Sequence, residues 1–258
     1  NQKFISHFGN QRLKDDNPTQ DHIDLACSVQ AAFEDCLIHL LRPATKYYPQ
    51  LNKLVLSGGC ALNVTANGKL LQSNLVNEII IPPAPHDAGC AIGAALCGIK
   101  TKIDYKSVRS PYLGKNFSNE EIHEELSKKF KKSILKIKED DLIKRTVNYL
   151  IEGKLIGWFQ GGAEFGPRAL GARSFLADPR NDQIRDQINQ KIKKRELFRP
   201  FAPSTLKETS KEFFDIDQDS PYMNIVSKVK NNNIPAVTHI DGTARVHTIS
   251  QDMHNRYY

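Results

Sequence analysis

Cysteine is sparse in this chain and odd in number. The five (Cys27, Cys36, Cys60, Cys90, Cys97) form no CxxC pair and sit inside helix-like or strand-like patterns. That excludes a disulfide framework and a cysteine-based zinc site, and predicts reduced, buried thiols in a cytoplasmic protein. Neither HExxH nor HxxxH occurs, so no histidine pair at helical spacing supplies a metal centre. Neither GxxxxGK[ST] nor GxGxxG occurs, which removes the P-loop and the common dinucleotide-binding turn. No apolar run approaches the roughly 18 residues of a membrane span, and no leader pattern opens the chain. The expectation is a protein that neither crosses a membrane nor is exported. The net charge is +7, yet the lysines are scattered and the one dense run, Lys128–Lys138, reads as a solvated face. With no aromatic RNA-binding motif or zinc finger beside it, nucleic acid is not the expected partner. The first residue is Asn1, not Met, and no closing signal precedes Tyr258. The chain therefore reads as a fragment.

What is present is ordinary globular composition: 40% hydrophobic and 25% charged over 258 residues, enough for one large domain or two smaller ones. Asn17-Pro18 reads as a helix start. Ile23, Ala26, Val29, Phe33, Leu37 and Leu40 then mark one apolar helical face ending before Pro43. Lys53–Ser57 and Glu78–Ile81 are short strands. A small-residue helix suited to close packing follows Asp87. This is an α/β layout whose sheet should be covered on both faces. Periodicity fails over 101–118, which places a domain boundary at 104/105. Ser118 and Glu121 then form a capping box. A helix over 140–152, a strand over 155–159, a helix over 181–193 (Ile184, Ile188, Ile192 on one face) and strands over 226–229 and 245–249 make the second part α+β.

The densest chemistry lies between Gly161 and Arg199. Arg168, Arg173 and Arg180 fall in GGAEFGPRALGARSFLADPR, with Gly166 before the first of them, and Lys194, Arg195 and Arg199 fall in KKRELFRPFAPS. Guanidinium forks grip phosphate or carboxylate bidentately, and glycine lets backbone amides approach the same anion. The plain alternative is solvated surface charge. Gly58-Gly59, after a strand, is either a tight turn or a phosphate- or sugar-binding turn. Asp87 is either a helix cap or a metal ligand, with His86 a local polar residue beside it. The string 239–245 (HIDGTAR) reads as a hairpin with no stated chemistry.

Several strings together resemble one family: SGGCALN (57–63), IPPAPHDAGCAIGAAL (81–96), PYLG (111–114), GPRALGARSFLADPR (166–180), KKRELFRPFAP (193–203) and DGTARVHT (241–248). They are similar, in order and spacing over nearly the whole chain, to the O-carbamoyltransferases related to nodulation protein U and to antibiotic-tailoring carbamoyltransferases. The resemblance implies that residues 1–104 are the second half of an actin/hexokinase-like nucleotide-binding domain. It implies that residues 105–258 form a YrdC-like, threonylcarbamoyl-adenylate-synthase-like α+β domain, incomplete at its end. It further implies ATP and carbamoyl phosphate as substrates, carbamoyl-adenylate as intermediate, a hydroxylated small-molecule acceptor and a divalent metal (Fe2+ or Mg2+). A homodimer is compatible with it.

Carried over by position, Arg168, Arg173 and Arg199 are expected to be catalytic. Arg180, Lys194, Arg195 and Gly166 join them in holding carbamoyl phosphate and the ATP phosphates. Gly58, Gly59, Asn63 and Gly89 would contact nucleotide, and Asp87 would bind the metal, in a half-site separate from the arginines. The family's histidine metal ligands lie in a half preceding this chain and its closing segment lies past Tyr258, so transfer to an acceptor by this chain alone is not expected. Two other readings stay open: threonylcarbamoyl-adenylate synthesis for tRNA modification, and a non-catalytic nucleotide- or phosphate-binding module.

Overall fold

A computed structural model describes residues 2–13, 16–99, 110–130, 133–253 and 257–258. The chain forms two compact units, residues 1–54 with 65–80, and residues 55–64 with 81–258. The boundary expected at 104/105 lies outside the described residues.

The first unit is mostly helical: α1 (Gln2–Phe8), α2 (Gln20–Tyr47) and α3 (Val64–Gln72). Two corrections concern α2. It starts after Thr19, whose N–H donates to His22 Nδ1 at 3.1 Å, leaving Asn17-Pro18 outside the helix. It also continues through Pro43, because a proline removes only its own bond to the preceding turn. Thr45 Oγ1 to the Arg42 carbonyl (2.9 Å) and Tyr48 N–H to the Ala44 carbonyl (2.9 Å) carry the last turn. Strands β1 (Lys53–Val55) and β2 (Glu78–Ile80) form a two-stranded sheet. Its ends are drawn together by the Asn52 carbonyl, which accepts from Asn77 N–H and Glu78 N–H at 2.8 and 3.1 Å. Ala66 and Leu70, four apart on α3, are buried, as are Val76 and Ile79. The expected sheet with two covered faces does not form: Val55 and Ile80 are exposed, since two three-residue strands offer too little area to seat a layer on each side.

The second unit carries α4 (Gly89–Gly98), α5 (Asn119–Lys129), α6 (Glu139–Ile151) and α7 (Gln183–Gln187). The Ser118 capping box forms as expected: Ser118 Oγ accepts from Glu121 N–H at 3.1 Å, and Glu121 Oε2 accepts from Ser118 N–H at 2.8 Å. Strands β3 (Ile156–Phe159) and β4 (Arg173–Leu176) pair antiparallel, with Phe159 opposite Arg173. A three-stranded sheet has β7 (Thr243–Ile249) in its centre, parallel to β5 (Ser204–Leu206) and antiparallel to β6 (Ile225–Lys228). Ala244 and Val246 are fully buried on one face of β7. Thr243, Arg245 and His247 therefore share the other face, because strand side chains alternate.

The helix expected over 181–193 is α only as far as Gln187 and continues as a π-helical turn, Ile188–Lys193. Ile184 and Ile188 pack with Ala236, Leu155, Ala177 and Phe201. Ile192 departs from their face and is exposed, because the wider π turn no longer realigns residues four apart. The cysteines also correct the expectation: all five are exposed. Along α4 no residue is buried, so its small side chains pack against none of the described residues closely enough to exclude solvent.

Candidate functional site

The loop between β3 and β4, residues 160–172, is folded around one carboxylate. Glu164 Oε1 accepts backbone N–H bonds from Leu170 (2.7 Å), Ala172 (2.9 Å) and Arg173 (3.2 Å). Gln160 Nε2 donates to the Gly171 carbonyl (2.9 Å), and Tyr112 Oη to the Leu170 carbonyl (3.1 Å). Gly166 has φ of 123°, and a Cβ there would stand 2.5 Å from the Pro83 carbonyl oxygen. Only glycine meets both conditions, so the loop rests directly on residues 82–85.

That prolyl segment anchors several motifs through its carbonyls. Pro85 O accepts from Gly58 N–H (2.7 Å) and from Ser57 Oγ (3.3 Å). Gly89 packs against Ala84 O so closely that no Cβ fits, and Asn224 Nδ2 donates to Pro82 O at 3.4 Å. Gly58, Gly89 and Gly166 thus lie around one segment, and this segment falls in the same compact unit as the arginines, where separate domains were expected for the two. The Gly58 amide points inward to Pro85, while Gly59 opens a 3-10 turn, Gly59–Leu62, followed by Asn63.

The arginines divide into two groups. Arg173 is engaged by its own loop: Nη1 donates to the Gln160 and Ala172 carbonyls (2.7 and 3.0 Å), and Nη2 to the Gly161 carbonyl (3.1 Å). Its guanidinium also lies 3.5 Å from the centre of the Phe159 ring across the ladder. Arg180 clasps Asp178 through Nε and Nη2, which holds that carboxyl below the usual carboxylate range. Arg168 and Arg195 differ. Arg168 Nη2 touches the Leu62 carbonyl at 3.4 Å, while its buried Nε has no hydrogen-bond partner among the described residues. Arg195 gives Nε to Asn189 Oδ1 at 2.7 Å, with its guanidinium 4.8 Å from the Phe201 ring centre.

Arg245 completes this second group, and it was not singled out from the sequence. Its Nε is likewise buried without a partner among the described residues. Burial first, then repulsion from Arg168 and Arg195, pulls its guanidinium pKa down to about 10. Burial and the neighbouring Arg199 lower Arg195 as well. Partly desolvated cations held near one another, Arg245 with no carboxylate to offset it, can accept an anion between them. Arg199 meets Glu196 only at 3.9 Å, and Lys194 is exposed in the left-handed region with φ of 46°. The signal for Arg245 was its place on β7: an arginine flanked by small and apolar strand residues is seldom a surface charge.

Two histidines flank Arg245: His239 before the turn that opens β7, and His247 on its strand face. His239 N–H donates to the Thr243 carbonyl (2.8 Å), and its Nε2 is buried without a partner among the described residues. His247, 2% exposed, meets Ser204 Oγ at 2.9 Å through Nδ1, and burial pushes its pKa down to about 4.

The metal expectation rests on Asp87, which is exposed and does not cap α4: Ala88 holds the cap position, and it is the Asp87 carbonyl that accepts from Cys90 N–H at 3.0 Å. His86 Nδ1 is buried and without a partner among the described residues. Among those residues no group of three or more His, Cys, Asp or Glu side chains converges. His86 and Asp87 do not make a coordination sphere by themselves.

Comparison with known proteins bears on both parts of the chain. Residues 1–96 match the carbamoyltransferase N-terminus model, and residues 147–258 match the carbamoyltransferase C-terminus model. Nodulation protein NolO of Bradyrhizobium diazoefficiens is 42% identical over 250 residues, covering 93% of this chain and 45% of that protein. An uncharacterized protein of Synechocystis is 39% identical over 292 residues, covering 100% of this chain and 47% of its own length. Nodulation protein U of Rhizobium fredii is 34% identical over 212 residues, covering 81% and 35%. The chain spans about half the length, or less, of these relatives.

Proposed function

Because the chain belongs to the carbamoyltransferase family, we propose that Arg168, Arg195 and Arg245 form the seat of carbamoyl phosphate in an ATP-dependent O-carbamoyltransferase. In this reading carbamoyl phosphate, ATP and water give carbamoyl-adenylate, phosphate and pyrophosphate. The carbamoyl carbon then passes to a hydroxyl of a sugar or other small-molecule acceptor, and AMP leaves. What supports the reading is the trio itself, in which Arg168 and Arg195 add to burial in lowering the pKa of Arg245, with no carboxylate set against it. An incoming phosphate dianion replaces that repulsion with charge-assisted hydrogen bonds. Fixed cations in a water-poor site also stabilise the negative charge that builds on a departing phosphate.

Arg199 and Lys194, exposed beside the trio, are the residues that would meet the ATP phosphates. Arg173, held by loop carbonyls, shapes the loop that carries Arg168, while Arg180 is occupied by Asp178. Gly59 and Asn63 would contact the nucleotide, and Asp87, with donors from outside this chain, would hold a divalent ion.

The test is isotope exchange of pyrophosphate into ATP, with and without carbamoyl phosphate, in wild type and Arg168→Ala. Exchange that requires carbamoyl phosphate and falls at least tenfold in the variant supports the reading. Exchange driven instead by bicarbonate and threonine overturns it in favour of threonylcarbamoyl-adenylate synthesis. Binding of carbamoyl phosphate with no exchange in the full-length protein identifies a non-catalytic module.

A further inference from the structure

We infer that Asn189 is a positioning residue for the anion seat, setting the Arg195 guanidinium so that its two terminal NH2 groups stay available to the ligand. The inference rests on the reading of Arg195 given above. Asn189 is 0% exposed although it is polar, and a buried amide persists where its hydrogen-bonding groups are matched. All of its amide capacity is directed at one short segment. Nδ2 donates to the Leu197 carbonyl (3.2 Å) and to the Arg199 carbonyl (2.9 Å), and Oδ1 accepts from Arg195 Nε (2.7 Å). Its backbone carbonyl accepts the N–H groups of Lys194 and, at 3.0 Å, Arg195.

The consequence for Arg195 is geometric. A guanidinium is planar, so fixing Nε at Asn189 and one face toward Phe201, 4.8 Å away, fixes the plane in which the two remaining nitrogens lie. Those nitrogens make no hydrogen bond to a described residue. This is the fork that bidentate phosphate recognition needs.

The local backbone supports the same assignment. Asn189 is the second residue of the π-helical turn Ile188–Lys193, and the turn ends at Lys194 in the left-handed region, where a lysine's Cβ crowds the following carbonyl oxygen. A wide turn closed by a non-glycine left-handed residue is a feature that persists when surrounding contacts over-determine it. Here those contacts are the Asn189 bonds. They hold residues 195–199 to the turn and leave Arg195 with one orientation.

A binding cycle tests it. The dissociation constant of carbamoyl phosphate is measured by calorimetry on the 258-residue chain, with urea denaturation confirming that each variant folds. Arg195→Ala should weaken binding about 10- to 100-fold, the range for losing a hydrogen bond to a charged group. Asn189→Ala should weaken it by a comparable factor, and the double variant by no more than about twofold beyond Arg195→Ala. Losses that multiply, or an Asn189→Ala protein that binds like wild type, overturn the inference. Should Asn189→Ala not fold, Arg195→Lys decides, since it keeps the charge but has no Nε–H for Asn189. Binding within threefold of wild type overturns positioning, and a loss equal to that of Arg195→Ala supports it. If Arg168→Ala and Arg245→Ala lose binding while Arg195→Ala does not, the inference fails and the anion seat stands. If none of the three loses binding, or wild type does not bind, the functional reading itself fails.

Discussion

Arg168 donates to the Leu62 carbonyl at 3.4 Å across 106 positions of sequence, so the arginine loop meets the turn after Gly58-Gly59 through this bond. Four expected outcomes follow from this arrangement of loop, turn and strand.

Arg245 is a largely buried cation whose electrostatic neighbours, Arg168 and Arg195, are themselves cations. Arg245→Met should therefore stabilise the anion-free protein, by about 1–3 kcal/mol, as hydrophobic replacements of buried charge often do. The same variant should lose the rise in melting temperature that millimolar phosphate gives the wild type. Thermal melts with and without phosphate check both halves.

Arg173 should behave oppositely. Three carbonyl bonds and the Phe159 ring make it a strut of the 160–172 loop. Its loss should cost roughly 3.5–4 kcal/mol, at about 1 kcal/mol per bond plus 0.5–1 for the ring contact. Urea unfolding of Arg173→Ala reads that cost. Binding of carbamoyl phosphate, extrapolated to the folded fraction, should change less than for Arg168→Ala.

Gly166→Ala meets two penalties together, a φ of 123° and the Pro83 carbonyl oxygen 2.5 Å from the new Cβ. A destabilisation of roughly 2–4 kcal/mol is expected. Chemical denaturation measures it, and phosphate affinity should fall with it because Arg168 follows two residues later.

Acid sensitivity should localise to His247. Its folded pKa of about 4 lies below the ordinary imidazole value of 6.5, so the unfolded chain binds the proton more readily. Stability is then fully present above about pH 6.5 and is lost as pH falls toward 4, by about 3 kcal/mol in all at 1.4 kcal/mol per pKa unit. His239, also lowered by burial, adds to the loss in the same direction. Urea midpoints between pH 4 and 7 should slope steeply for wild type and less for His247→Gln.

Local rules account for what was legible. The Ser118–Glu121 box, the strand before the glycine-rich loop and the turn at Asp241-Gly242 each depend on residues within a few positions, and each forms. Asp241 Oδ1, for example, accepts from Thr243 N–H at 3.0 Å. What the sequence pattern missed depends on partners far away. Pro43 looked like a stop because its own lost bond is local, while the turns on either side that sustain α2 are not. Arg173 and Arg195 were both expected to hold phosphate, Arg173 as a catalytic group besides, and only the folded loop separates a guanidinium surrounded by carbonyls from one held at Nε alone. Arg245 escaped because a strand register, not spacing, brings it to Arg168. The cysteines misled because a hydrophobic helical pattern predicts burial only when something in the chain covers it.

The carbonyl segment 82–85 has a consequence for how this protein can be divided. It belongs to the stretch matching the N-terminal family model, yet it seats Gly166 and Asn224 from the C-terminal one. A polypeptide begun at residue 147 would carry the arginines but not the surface that Gly166 was shaped to meet. The arginine loop would then be a tenant without a floor, so the two family segments of this chain are one inheritance, to be moved or mutated together.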